Sequence, residues 1–189
     1  SLRPQEEKYT FSAIFKTNNR GEILEEWFGK TVIKSDMRFS YAEAQEIIET
    51  KKGNISKEIA LNNKSYEVAK EMVNAIVILN EIASTIREER KKQGSINFNK
   101  KEIKFKLDSL KNPIEVIFKE NKEANKLIEE FMLLANKKVA ELFKKTKKEP
   151  SVYRTHDVPD NEKLKVLKTI VKEFGYSLDI SSREGTSRT

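Results

Sequence analysis

Tyr9-Thr10-Phe11-Ser12-Ala13-Ile14-Phe15-Lys16 alternates. Tyr9, Phe11, Ala13 and Phe15 fall on one face, with Thr10, Ser12 and Lys16 mainly on the other, which is the period of a half-buried strand. Asn18-Asn19-Arg20-Gly21 tolerates positive φ and turns the chain. A second strand-like run from Ile23 to Ile33 follows, so the start of the chain predicts a long antiparallel hairpin. Ser40-Tyr41-Ala42-Glu43 is a capping box that opens a short helix carrying Ile47 and Ile48 inward. Lys51 to Lys64, polar and holding Gly53 and three Asn, predicts a connector. Ser65 is then expected to cap the longest helix, with Val68, Met72, Ala75, Leu79, Ile82 and Ile86 as one apolar stripe. That helix ends in Arg87-Glu88-Glu89-Arg90-Lys91-Lys92, with Gly94 as its stop.

Beyond Gly94, Ile103, Phe105 and Leu107 alternate with lysines, and Ile114, Val116 and Phe118 alternate on a second strand, with Ser109 to Pro113 as the turn. A second long helix is expected from about Asn121 to Lys145, its apolar side formed by Ala124, Ile128, Phe131, Ala135, Val139 and Leu142. Lys144 to Pro150 reads as a basic loop. Asp160 caps a third amphipathic helix, with Leu164, Leu167, Ile170, Val171 and Phe174, stopped by Gly175. Residues 181–189 carry no period and are expected to fray. There is no internal repeat. Hairpin, helices, hairpin, helices is the order of an α+β fold with antiparallel β-hairpins and several long amphipathic helices, not of alternating βαβ units.

Composition narrows the chemistry. The 189 residues correspond to one domain or a large piece of one. Lys and Arg number 37 against 30 Asp and Glu, a net charge of +7. The absence of cysteine excludes disulfides, thiolate metal sites and cysteine nucleophiles. No apolar run reaches the ~18 residues a membrane span requires. Ser1-Leu2-Arg3-Pro4-Gln5-Glu6-Glu7 lacks the apolar core of a signal peptide, and the missing initiator Met points to a processed or cut chain. A cytoplasmic protein that does not enter membranes is expected. His156 is the single histidine, which excludes two-histidine metal motifs; flanked by Thr155 and Asp157, it forms no recognisable triad motif. The glycines stand singly, with neither a P-loop nor a Rossmann pattern. Two-metal phosphoryl chemistry needs carboxylates converging on each ion. The aspartates here, Asp36, Asp108, Asp157, Asp160 and Asp179, are dispersed. On its own residues the chain is not a complete enzyme.

Several stretches, in order, resemble the catalytic (RNB) domain of the ribonuclease II and ribonuclease R family of 3′-to-5′ exoribonucleases. They are Leu2-Arg3-Pro4 with Tyr9-Thr10-Phe11-Ser12-Ala13; Lys34-Ser35-Asp36-Met37-Arg38-Phe39-Ser40-Tyr41; and Arg87 to Phe98. Tyr153-Arg154-Thr155-His156 with Pro159 and Glu162-Lys163-Leu164 also matches. The most specific is Asn125-Lys126-Leu127-Ile128-Glu129-Glu130-Phe131-Met132-Leu133-Leu134-Ala135-Asn136. The bacterial ribonuclease R branch fits best. The resemblance implies a parent enzyme that degrades single-stranded RNA processively to nucleoside 5′-monophosphates with Mg2+. It also implies that residues 1–189 are the middle of that domain, truncated at both ends. The magnesium-binding aspartates would lie upstream and a catalytic arginine downstream, so no metal is expected to be held here and the piece alone is expected to be inactive. A monomer is expected, with self-association if truncation uncovers strand edges or apolar faces.

Asn125, Glu129, Met132 and Asn136 share one side of their helix. The resemblance places Glu129 near the 3′-terminal ribose, where a carboxylate can accept from a 2′-hydroxyl and so tell RNA from DNA; the plain alternative is a solvated Glu beside Glu130. Phe98, between Asn97 and Asn99 and outside any apolar stripe, resembles the family's base-clamping phenylalanine, and stacking on it is worth ~1–3 kcal/mol per base. Arg87, Arg90, Lys91, Lys92, Lys100 and Lys101 bracket Phe98 as candidate phosphate contacts, Arg90 and Lys92 foremost, or as an ordinary solvated helix end. The competing function class is a non-catalytic basic module for RNA binding or protein interaction. An aspartate cluster encoded directly upstream of Ser1 would select the nuclease.

Overall fold

The computed structural model describes residues 2–18, 20–95, 102–146, 152, 154–155 and 157–179. Strands β1 (Glu7–Thr17) and β2 (Ile23–Lys34) form the first hairpin, in register from Glu7 opposite Lys34 to Lys16 opposite Glu25. Its turn is held by the Asn18 side chain, which accepts from the N–H groups of Arg20 (2.9 Å) and Glu22 (3.1 Å), and by Gly21 at φ +74°. Gly21 also lets the turn sit against a helix. A Cβ there would meet Ile86 Cγ1 at 3.0 Å.

The alternation of the hairpin is as expected, but the aromatic face is open. Tyr9 is 93 % exposed and Phe11 81 % exposed, because no other described element covers them. What order that face has comes from within the hairpin: the Lys30 ammonium lies 5.9 Å from the Phe11 ring centre, and Phe15 meets Phe28 edge-on. On the opposite face Thr10, Ser12 and Thr31 share their hydroxyls, with Thr31 Oγ1 2.8 Å from Thr10 and 2.6 Å from Ser12.

Ser40 caps α1 (Tyr41–Thr50) as its sequence predicts, and both halves of the capping box are present. The connector does more than span. Asn54–Ile55 (β3) pairs with Tyr66–Glu67 (β4), and the Val68 N–H donates to the Gly53 carbonyl at 2.9 Å. That pairing consumes the segment in which helix was expected, so α2 runs Lys70–Lys92 and starts at Ala69, not Ser65, with no side-chain cap. Its buried side only partly follows the expected stripe: Ile82 is buried, as are Val73 and Ala83 outside the stripe, whereas Ala75 is exposed and Leu79 is partly exposed. The core proper is small. Ile47, Ile55, Ala60, Val68 and Val73 are buried together, with Met37, Phe39, Tyr66 and Met72 packed around them.

Strands β5 (Glu102–Leu107) and β6 (Pro113–Lys119) make a second free-standing hairpin. Asp108 Oδ1 accepts from Leu110 and Asn112 N–H in its turn, each at 2.8 Å. Helix α3 (Glu123–Thr146) continues into the stretch expected to loop from Lys144, and α4 (Asn161–Glu173) is capped by Asp160. No residue of α4 is buried; its apolar side, including Leu167 and Ile170, stays about half exposed. No helix among the described residues is long and apolar enough to cross a membrane.

Candidate nucleic-acid interface

Helix α3 lies against α1 and α2, and three polar contacts from distant parts of the chain hold its first half. Gln45, buried on α1, presents Oε1 to the Ala124 N–H at 2.9 Å. This closes one of the donors that every helix start leaves unpaired. Asn125 contributes locally: its Oδ1 accepts from the Lys122 N–H at 3.2 Å. Arg87 Nη2 donates to Glu123 Oε2 at 2.8 Å. Burial opposes the charge on Glu123, but Arg87 and Lys126 outweigh it and hold its pKa below the usual glutamate value. Arg90 forks onto Glu130, with Nε to Oε2 at 3.1 Å and Nη2 to Oε1 at 2.6 Å. Glu130 is 1 % exposed. A carboxylate at that depth requires such a partner.

Beside this arrangement is a cavity of about 640 Å³ between the start of α1, the middle of α2 and the first turns of α3. Tyr41, Leu61, Leu79, Leu127 and Ile128 line it, with Arg38 at the α1 end. Helix α3 meets the cavity through Ala124, Leu127 and Ile128; Glu129, Met132 and Asn136 are exposed elsewhere on α3, and Asn125 is half-buried at its start. The side shared by these four in the sequence is therefore an accessible side in the fold.

The basic residues divide. Arg87 and Arg90 are turned onto carboxylates of α3. Lys91 and Lys92 stay exposed, in ion pairs with Glu88 and Glu89 on their own helix, a class of contact that adds little stability and yields readily. Phe98, Asn97, Asn99, Lys100, Lys101, Tyr153 and His156 lie outside the described residues. Sequence reasoning missed Gln45, Glu130 and Tyr41. The available signal for Glu130 was its distance of two turns from Glu123, facing the Arg87/Arg90 pair one turn apart.

A second carboxylate is central to the fold alone. Glu43 Oε2 accepts from the Ser40 N–H at 2.6 Å, and Oε1 accepts from the Leu61 N–H at 3.0 Å and the Tyr66 hydroxyl at 2.8 Å. Burial works to raise its pKa, but these donors prevail and lower it. Tyr66 is pushed up to about 12, by burial first and then by the neighbouring carboxylate.

Among the described residues no group of three or more His, Cys, Asp or Glu could hold a metal ion. Asp108 and Asp160 accept N–H groups of a turn and a helix start. These residues do not fit a binuclear magnesium site.

The sequence model of the RNB domain family matches residues 1–187. The chain belongs to the RNB domain family. DIS3-like exonuclease 2 of Schizosaccharomyces pombe is 37 % identical over 185 residues, covering 96 % of this chain and 20 % of that protein. Ribonuclease R 2 of Lactococcus lactis is 33 % identical, covering 97 % and 26 %. A relative from Arabidopsis thaliana, 31 % identical over 96 % of this chain and 17 % of its own length, is named an inactive exonuclease. The bacterial branch is therefore not singled out by identity. The structure of Mycoplasma genitalium RNase R in complex with ribose-methylated single-stranded RNA aligns with a TM-score of 0.76 at 24 % identity, over 96 % of this chain and 26 % of that one, which shows a shared fold. The chain spans about a fifth to a quarter of the length of these two nucleases.

Proposed function

We propose that this RNB chain supplies part of the RNA path of a magnesium-dependent 3′-to-5′ exoribonuclease of the ribonuclease R type. Such an enzyme would act on single-stranded RNA and release nucleoside 5′-monophosphates processively. The observation that carries the proposal is the accessible side of α3, where Glu129, Met132 and Asn136 are exposed while the neighbouring Glu130 is buried. Glu129 accepts from the 2′-hydroxyl of the terminal ribose, Asn125 adds a polar contact at the helix start, and Phe98 stacks on a base. Lys91 and Lys92 meet phosphates. Arg90 is given to Glu130 and has a structural task in this reading.

The chain alone is inactive in this proposal, because the carboxylates that would hold two metal ions lie elsewhere in the parent. The test is fluorescence anisotropy with labelled oligo(A) and oligo(dA), together with a product assay in Mg2+. RNA is bound more tightly than DNA, the preference is lost in Glu129→Gln, and binding weakens as salt rises. Equal affinity for both strands overturns the ribose contact. Mononucleotide release by the pure chain overturns its inactivity. The open apolar faces of the two hairpins, with Tyr9, Phe11, Phe105 and Phe118 all more than half exposed, make the isolated chain self-associate. Light scattering independent of concentration would contradict this.

A further inference from the structure

Glu129 and Glu130 are neighbours on α3, so their side chains point about 100° apart. One is fully buried and the other is exposed. Nothing in the pair itself decides which; either carboxylate could take the Arg90 fork if α3 turned by one position. The decision is made by the contacts on either side. Glu123 and Glu130 are seven positions apart, which on a straight helix is the same stripe to within about 20°. Arg87 and Arg90, one turn apart on α2, engage that stripe together. If Glu129 took the fork, the Arg87–Glu123 contact would be lost, since a six-residue spacing falls about 120° off the stripe. Gln45, fixed on α1, holds the Ala124 N–H and sets the height of the helix independently.

We infer that the Arg90–Glu130 fork, working with Arg87 and Gln45, is a positioning device that selects one rotational setting of α3 and so aims Glu129 at the RNA. Buried ion pairs add little net stability in many proteins and in some of them select one arrangement over another; here the selection is between two adjacent glutamates. The inference rests on the ribose role proposed for Glu129, but the geometric part can be measured without RNA.

The absence of native cysteine allows clean spin labelling of Glu81→Cys on α2 and Glu129→Cys on α3. Pulsed electron resonance is expected to give one narrow distance with Arg90 present, and a broadened or second distance in Arg90→Lys, which keeps the charge and loses the fork. Glu130→Gln repeats the test should Arg90→Lys fail to fold by circular dichroism. In unlabelled protein, Arg90→Lys lowers the oligo(A)-over-oligo(dA) affinity ratio about tenfold. In a Glu129→Gln background it lowers the ratio no further, which a general loss of structure would not produce. An unchanged distance distribution overturns the inference. So does an unchanged ratio in Arg90→Lys where Glu129→Gln abolishes it. If Glu129→Gln leaves the ratio intact, the ribose reading falls and the distance measurement alone decides the positioning claim.

Discussion

Replacing Glu43 by Gln removes one charge and changes almost no volume, yet it should be among the most damaging single changes in this chain. The carboxylate accepts three protein donors: Ser40 N–H on Oε2, and Leu61 N–H and Tyr66 O–H on Oε1. A Gln side chain has one acceptor oxygen. If that oxygen replaces Oε1, the amide nitrogen points its hydrogens at the Ser40 N–H; if it replaces Oε2, two donors on the other side are left facing N–H groups. Either way at least one buried donor is unpaired, at about 1–3 kcal/mol, and the surviving bonds lose their charge assistance. A total of roughly 2–4 kcal/mol follows, against a stability of about 5–15 kcal/mol for a domain of ordinary size. Urea titration followed by circular dichroism should show a lower midpoint with an unchanged slope. The acid limb gives a second reading. The folded pKa of Glu43 lies below its ordinary 4.5, so its contribution is complete above that pH and is lost as pH falls through the folded value. Wild-type stability should decline in that window more steeply than that of the Gln variant. A loss under about 0.5 kcal/mol with parallel acid limbs would show that the three donors find water instead and that the hub is not what joins α1 to the connector.

At the alkaline end the same contact works in the opposite direction. Tyr66 has its pKa raised from 10.0 to about 12, so folding favours the neutral phenol; this contribution is present below pH 10 and disappears as pH approaches 12. It amounts to at most about 3 kcal/mol, less what solvent screening of the half-buried ring removes, and should vanish from the alkaline unfolding curve of Tyr66→Phe. Gly53→Ala is expected to destabilise by about 1–3 kcal/mol, because the new Cβ would collide with the Val68 carbonyl, which belongs to backbone and has no rotamer to escape into. An unchanged melting temperature for that variant would mean the β3–β4 pairing is more compliant than its geometry indicates.

Features encoded within one turn of chain were legible. The Ser40–Glu43 capping box, the Asn18–Gly21 turn and the Asp160 cap each depend on residues a few positions apart, and each is found where the sequence places it. The errors arose where a local signal met a distant partner. Ser65 has the chemistry of a helix cap, but Tyr66 and Glu67 find β partners in Asn54 and Ile55, and the backbone bond they gain displaces the helix start to Lys70. Alternation correctly made Tyr9 and Phe11 one face of a strand; it carries no information on whether another layer lies over that face. Only its two-turn spacing from Glu123 sets Glu130 apart from Glu129 in sequence, and that spacing gains meaning from an arginine forty residues away. For the same reason Arg90, basic and at a helix end, resembled a phosphate contact while its guanidinium was committed to that carboxylate.

The Gln45 side chain gives α3 a start that its own neighbourhood only partly supplies. The amide group that receives the Ala124 N–H comes from 79 positions earlier, beyond a strand pair, the whole of α2 and a complete hairpin. Helix α3 can therefore wind locally from its own apolar spacing, but its first turn settles only after α1 has docked. Formation of that end becomes a late, cooperative event in assembly, and a chain cut between α1 and α2 would leave α3 frayed at its first turn.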